Sequence, residues 1–261
     1  MKIKSKILII AGSDSSGGAG IQADIKSVTS LGSYAMTAIT AITAQNTTGV
    51  KSIIPIPIKE ISNQIEFTSK DIKPDSVKIG MLHSTKVINS VLKSIKKSNL
   101  KKIILDPVMV AKGGHSLLDI DAIESLKKKL FPLSFLITPN IPEAEKILKS
   151  KINNIKDMEE NMEKFKSMNI KNILLKGGHL KKSKIADLLQ TNKKVYKFTS
   201  LKINTLNTHG TGCTMASAIA CNLFNGFSLY NSVKNARKYV ISGIKKSLII
   251  GSGHNPLNHF L

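Results

Sequence analysis

The sequence of 261 residues has no tryptophan, two cysteines, one arginine and no apolar run approaching the ~20 residues that span a bilayer. The last shortage excludes a membrane-spanning helix. The cysteines, Cys213 and Cys221, lack Cys-x-x-Cys spacing and the six histidines are dispersed, which argues against a zinc site and fits a reducing compartment. At the start, Met1 to Lys6 alternate lysine with small or apolar residues. The apolar run behind them, Ile7 to Ala11, is shorter than the ~7–15 residues of a secretory signal core. A cytoplasmic protein without a membrane partner is expected. The single arginine, Arg237, matters because the net charge is +22. Proteins that grip nucleic-acid phosphates or base edges use arginine forks, whereas here the basic residues are lysines scattered over helix faces. The charge therefore reads as a solvated lysine-rich surface and not as a nucleic-acid interface.

What is present is an ordinary globular composition, 41% hydrophobic and 21% charged. Strand-length apolar runs fall at Ile7–Ala11, Tyr34–Ile42, Val77–Ile79, Ile103–Leu105, Phe135–Thr138 and Ile173–Leu175. Between them lie amphipathic segments. Ser84–Asn99 puts Val87, Val91, Leu92 and Ile95 on one face, and Asp121–Leu130 and Asp157–Met168 each carry an acidic first turn. Cys213–Phe224 and Ser228–Ser247 read as two long terminal helices. The alternation predicts an α/β fold with a mostly parallel sheet, and with no linker or repeat it reads as one domain over residues 1–261. Val50–Ile58 and Val195–Leu206 read as peripheral strands or flaps. Pro55 and Pro57 suit an edge strand.

Residues with chemical potential cluster after the strands, where open α/β sheets bind ligands. Gly12 to Gly20 follow the first run, Gln45 and Asn46 the second, Gly80 to Leu82 the third, Asp106 to Gly114 the fourth, Asn140 to Glu143 the fifth and Lys176 to His179 the sixth. In the first loop, Gly12 and Gly17 have P-loop spacing, but Gly18 stands where the lysine belongs, and Gly-x-Gly-x-x-Gly is absent. Asp14 and Asp24 fit either a cap and a helix surface charge or two ligand contacts. The turn Asn207-Thr-His-Gly-Thr-Gly-Cys213 runs straight into a helix, so the amides of Gly210 to Cys213 form an anion site. Cys213 in that field is expected to have a lowered pKa and to accept a proton, or else to be a small buried residue at a tight helix start. Asn140-Ile-Pro-Glu143 fits a Mg²⁺ site with few protein ligands or a plain helix start. Lys176-Gly-Gly-His179 offers a cation and flexible backbone, or a glycine turn. His179, His254 and His259 read as loop histidines.

Taken in order, Ala11-Gly-Ser-Asp-Ser-Ser-Gly-Gly-Ala-Gly-Ile-Gln-Ala-Asp24, Thr40-Ala-Ile-Thr-Ala-Gln-Asn-Thr-Thr-Gly-Val50, Lys78-Ile-Gly-Met-Leu82, Asp106-Pro-Val-Met-Val110, Thr138-Pro-Asn-Ile-Pro-Glu-Ala144, Lys176-Gly-Gly-His179, His209-Gly-Thr-Gly-Cys-Thr214 and Asn255-Pro-Leu-Asn-His259 span nearly the whole chain. They resemble the ribokinase-like superfamily, and within it the hydroxymethylpyrimidine/phosphomethylpyrimidine kinases of thiamine biosynthesis. The resemblance implies a ribokinase-like three-layer α/β sandwich. It implies transfer of the ATP γ-phosphoryl group to 4-amino-5-hydroxymethyl-2-methylpyrimidine and then to its monophosphate. It further implies Cys213 as the base where many relatives carry aspartate, with Gly210, Gly212 and Lys176 completing the catalytic centre. Gln45 would read the aminopyrimidine edge, with Gly12, Ala19, Asp24, Met81 and Val108 around it. Asn140 and Glu143 would organise Mg²⁺. Asp106, Lys176, Gly177, Gly178 and Thr211 would face the nucleotide. Relatives of this type are often dimers, so a homodimer is expected. Asn255 departs from the glycine the family tends to carry there, which leaves the role of the tail open. The rivals are a pyridoxal/pyridoxine kinase on the same scaffold, a basic nucleic-acid-binding protein, and a cysteine hydrolase using Cys213 with His209.

Overall fold

The apolar runs of the sequence become the middle of one nine-stranded sheet. Its order is β3 (Gly49–Pro55), β2 (Tyr34–Asn46), β1 (Lys6–Asp14), β4 (Ser76–Ile79), β5 (Ile103–Leu105), β6 (Ser134–Ile137), β7 (Ile173–Leu175), β8 (Lys184–Gln190) and β9 (Val195–Leu201). The structure is a computed structural model that describes residues 3–110, 114, 117–180 and 182–260. The six strands from β2 to β7 run parallel, while β3, β8 and β9 pair antiparallel at the two margins. β5 and β7 are short, unbroken apolar runs because both of their faces are covered.

Successive side chains of β1 show the two coverings. Leu8 and Ile10 enter a core shared with α2 (Ile58–Ile72), α3 (Thr85–Lys97), α4 (Ile120–Ser125), α5 (Ile141–Leu148) and α6 (Ile155–Lys166). Ile7, Ile9 and Ala11 enter the opposite core, built with α1 (Gly20–Ser30), α7 (Thr211–Phe224) and α8 (Leu229–Lys245). A period of two along a strand sends alternate residues to opposite faces, so one strand ties both helix layers together. Residues Ile7 to Ile10 have no exposed surface. Each such side chain contributes roughly 1.5–3 kcal/mol on burial.

β1 has β2 on one side and β4 on the other. Chain order reverses there, and the crevice at the carboxyl ends of β1 and β4 is where such sheets hold ligands. The loops that follow β1, β4, β5, β6 and β7 all open at this end.

Several boundaries differ from the sequence reading. The Val50–Ile58 segment is the edge strand β3 only to Pro55, and α2 starts at Ile58. Val195–Leu206 is edge strand β9 only to Leu201. β8 and α2 were not anticipated. The Asp121–Leu130 helix turns π-helical at Leu126–Leu130 and ends in a 3-10 turn holding Pro132, whose ring cannot continue an α-helical ladder. Residues 111–113 of the expected Asp106–Gly114 loop, and the first two residues of the lysine-rich start, lie outside the described residues. No helix among the described residues is long and apolar enough to cross a membrane.

Candidate active site

The loop after β1 is folded by one carboxylate. Asp14 accepts hydrogen bonds from the amides of Ser16 (2.9 Å), Gly18 (3.2 Å) and Ala19 (2.8 Å) and from the Ser16 hydroxyl (2.8 Å). An aspartate heading Ser-Ser-Gly-Gly is a side-chain turn signature, which marks Asp14 as an organiser of the loop and not a helix cap. Its second oxygen lies 2.8 Å from His209 Nε2. Burial opposes ionisation of Asp14, but the hydrogen bonds from His209 and Ser16 hold it at about 2. His209 therefore joins this loop to the second glycine turn. There Gly210 has φ 79°, and any side chain on it would run into the Gly18 carbonyl. The His209 amide donates to the Asn255 carbonyl (3.2 Å). The Asn255 side chain accepts from the amides of Ile250 and Gly251 and donates to the carbonyls of Gly251 and Gly253. The departure from glycine at this position is thus a brace for the tail that supports His209.

Gly210 is the N-cap of α7. The amide of Thr211 reaches the Thr208 carbonyl at 3.4 Å, while those of Gly212 and Cys213 have no backbone acceptor among the described residues. Unpaired donors and the positive end of the helix dipole coincide, as an anion site requires. A charged pair stands over it. Lys176 Nζ lies 2.8 Å from Asp106 Oδ1, which also accepts from Thr138 Oγ1 at 2.8 Å. A Cβ placed on Gly212 would sit 3.4 Å from both Lys176 Nζ and Asp106 Oδ2, so ammonium and carboxylate project directly over this turn. Asp106 is buried, yet Lys176 and Lys78 keep it below the usual carboxylate range. Burial acts against the Lys176 charge, and Asp106 and Glu143 more than restore it.

Glu143 and Asn140 form a reciprocal capping box at the start of α5: Asn140 N donates to Glu143 Oε2 (2.8 Å) and Glu143 N to Asn140 Oδ1 (3.0 Å). Both lie in the cleft wall. Burial pushes the Glu143 carboxyl up to about 7, Lys176 opposes this, and Asp106 adds to it.

Three expectations need correction. Asp24 neither lines the cleft nor sits on a helix surface. It is wholly buried in α1, 2.7 Å from Lys78 Nζ and accepting from Ser217 Oγ at 2.7 Å. The Cys213 thiol is not acidified. Burial pushes it up to about 11, with Lys78 pulling down and Asp24 and Asp106 pushing further up. The helix-end field was legible in the sequence; the burial that outweighs it was not. Gly177 likewise turns inward, its amide donating to Asp187 Oδ1 at 2.8 Å and away from the cleft.

The remaining expected residues come together. Gly12, Ala19, Gln45, Met81 and Val108 border the same cleft of about 290 Å³ as Asp106, Asn140, Glu143, Lys176 and Gly210 to Cys213. Gln45 Nε2 is 3.2 Å from His209 Nε2, and its Oε1 is 3.2 Å from Thr43 Oγ1. A second cavity of about 370 Å³ adjoins it, sharing Asn140, Lys176, Thr211 and Gly212 and adding Gly178. Its wall includes Arg237, paired to Asp187 at 2.6 Å, and apolar residues of β8, α7 and α8 such as Ile185, Met215 and Val240. The sequence pointed to Asn140, Lys176, Gly178 and Thr211 in its wall, but not to the residues of β8, β9 and α8, which lie far apart along the chain. His179 and Lys146 also border the first cleft.

Comparison with known proteins points the same way. The family described as phosphomethylpyrimidine kinase matches residues 14–258. The chain is 43% identical to a hydroxymethylpyrimidine/phosphomethylpyrimidine kinase of Bacillus subtilis over 98% of this chain and 94% of that protein. It is also 43% identical to a thiamine biosynthesis bifunctional protein of Geobacter sulfurreducens over 99% of this chain, but it spans only 53% of that longer protein. Among solved structures, a Bacillus subtilis pyridoxal kinase in complex with ADP superposes with a TM-score of 0.90 at 34% identity, covering 98% of this chain and 97% of that one.

Proposed function

The chain belongs to the phosphomethylpyrimidine kinase family, with its ribokinase-like fold, and from that premise we propose a two-step reaction for it. It transfers the γ-phosphoryl group of ATP to 4-amino-5-hydroxymethyl-2-methylpyrimidine, then phosphorylates the monophosphate to give the pyrimidine pyrophosphate used in thiamine biosynthesis. The observation that carries this reading is the Lys176–Asp106 pair held over the free amides of α7, between two adjoining cavities. That arrangement suits an anion passing from one ligand to another.

In this reading the pyrimidine occupies the cleft bordered by Gly12, Ala19, Gln45, Met81 and Val108, and the Gln45 carboxamide both donates to and accepts from the aminopyrimidine edge. The nucleoside enters the second cavity, with Gly178 and Thr211 beside its phosphates. The amides of Gly212 and Cys213 and the Lys176 ammonium stabilise charge on the transferring group. Asn140 and Glu143 suit a hydrated Mg²⁺. Among the described residues no group of three or more acidic, histidine or cysteine side chains could enclose a metal, in keeping with an ion seated mainly by phosphates and waters. Bound there, Mg²⁺ would neutralise phosphate charge. Cys213 takes the substrate hydroxyl proton in the first step. In the second step the nucleophile is a phosphate oxygen, which needs no base. The chain works as one kinase domain over residues 1–261, a cytoplasmic homodimer with no nucleic-acid or membrane partner.

A second reading, pyridoxal kinase, is favoured by the superposition on that enzyme. An ATP-consumption assay with the hydroxymethylpyrimidine, its monophosphate and pyridoxal separates the two. Turnover with pyridoxal alone would overturn the pyrimidine assignment.

A further inference from the structure

The cleft that Cys213 borders is also bordered by one member of a buried ion pair that the proposed reaction leaves without a task. Lys78 projects from β4 and Asp24 from α1; neither side chain has exposed surface, and Nζ and Oδ2 are 2.7 Å apart. Two apolar residues of similar volume would fill this space without the desolvation cost of two charges. The pair is also closely fitted. Ser217 Oγ donates to the other oxygen of Asp24, and a Cβ on Gly80 would sit 3.0 Å from Lys78 Nζ. Ser217 follows Cys213 on α7 by one helical turn, so both project from the same face, and Lys78 and Cys213 border the same cleft. The charged groups that bear on Cys213 come from four elements: Lys78 on β4, Asp24 on α1, Asp106 after β5 and Lys176 after β7. Lys176 is committed to Asp106 and faces the phosphoryl site. Lys78 is the buried cation that bears most on the thiol.

We propose that Lys78 is a positioning residue for proton transfer at Cys213, its ammonium fixed by Asp24 so that a thiolate can form against a permanent buried charge. This rests on the reading of Cys213 as the base. The balance is simple. The thiol first releases its proton to solvent. As the substrate oxygen forms its bond to the γ-phosphorus and the bond to the ADP oxygen breaks, the hydroxyl proton passes to the thiolate sulfur. The product leaves, and the thiol again loses its proton to solvent. Lys78 keeps its own proton throughout, since Asp24, Cys213 and Asp106 together outweigh burial and hold its proton affinity above the ordinary range.

The test reads the thiol itself and needs neither ATP nor pyrimidine. In a Cys221→Ala background, Cys213 is the one sulfhydryl, and its rate of alkylation by iodoacetamide is followed against pH. Lys78→Met is expected to raise the midpoint by about one unit or more, and Asp24→Asn to lower it. Because Lys78→Met alone strands a buried carboxylate, the decisive comparison adds Lys78→Met to Asp24→Asn, where no unpaired acid remains. A rise between those two proteins supports the assignment. An unchanged or lower midpoint with native-like melting overturns it and leaves Lys78 a packing element. Failure of the kinase reading would appear only in the substrate assay and would leave these midpoints as they are.

Discussion

Two lysine–aspartate pairs stand at the same edge of the sheet, and they differ chiefly in access. Lys78 and Asp24 have 0% of their side chains exposed; Lys176 keeps 13% and Asp106 3%. The sealed pair has its remaining hydrogen bond met by Ser217, from the protein itself. The open pair leaves an ammonium and a carboxylate oxygen projecting over Gly212, where a third partner can arrive. Identical chemistry thus serves two ends. A sealed pair holds a field constant, whereas an open pair can exchange part of its pairing for a ligand's charge at little rearrangement.

The largest expected separation between them is in stability. Lys78→Met should lower the free energy of unfolding by about 3–5 kcal/mol, because it leaves the buried Asp24 carboxyl without its partner. Urea denaturation at neutral pH measures this. Lys176→Met should cost much less, since Asp106 retains Thr138 and the neighbouring Lys78; equal losses would erase the distinction. In activity the ranking reverses: Lys176→Met should reduce kcat/KM roughly 10²–10³-fold in a coupled ADP-release assay, through lost stabilisation of the transferring group. Next comes Cys213→Ala, expected to slow the first phosphorylation roughly 10²-fold while slowing the second far less. Equal depression of both steps would reduce the cysteine to a packing role.

The smallest effect sharpens the comparison with a third charged contact, Asp14 with His209. A carboxyl held at about 2 in the fold and near ~3.9 when unfolded binds more protons in the unfolded state between those values. Its contribution is therefore complete above about pH 4 and is lost as pH falls from there toward about 2. Asp14→Asn should flatten that acid limb in a plot of urea midpoint against pH, with little change near neutrality beyond a constant offset.

The sequence made visible whatever depends on neighbours along the chain. Ile7–Ala11, Ile103–Leu105 and Ile173–Leu175 announced central strands because burial on both faces leaves a continuous apolar run. The start of α7 was legible from Gly210-Thr-Gly-Cys213. Pairings across the fold were not. Asp24 resembled a ligand contact because Lys78, which occupies it, lies on another element. The pKa shift expected of Cys213 had the wrong sign, since a helix end can be read locally and desolvation cannot. Asp187 and Arg237 join β8 to α8 and wall a cavity that no single segment betrays. Asn255 looked like an unexplained departure until its carbonyl and carboxamide were seen holding both His209 and the tail.

The contact between Gly18 and Gly210 bears on how this enzyme would answer random mutagenesis. A side chain at Gly210 meets the Gly18 carbonyl, and one at Gly18 meets the His209 ring. A saturation library would therefore score Gly18 as harshly as Lys176, although Gly18 contributes clearance and Lys176 contributes charge. Ranking positions by intolerance alone would merge the two classes. Separating them takes a partial-function readout: near a crowded glycine, the rare surviving variants should regain activity on cooling, whereas variants of a missing ammonium should not.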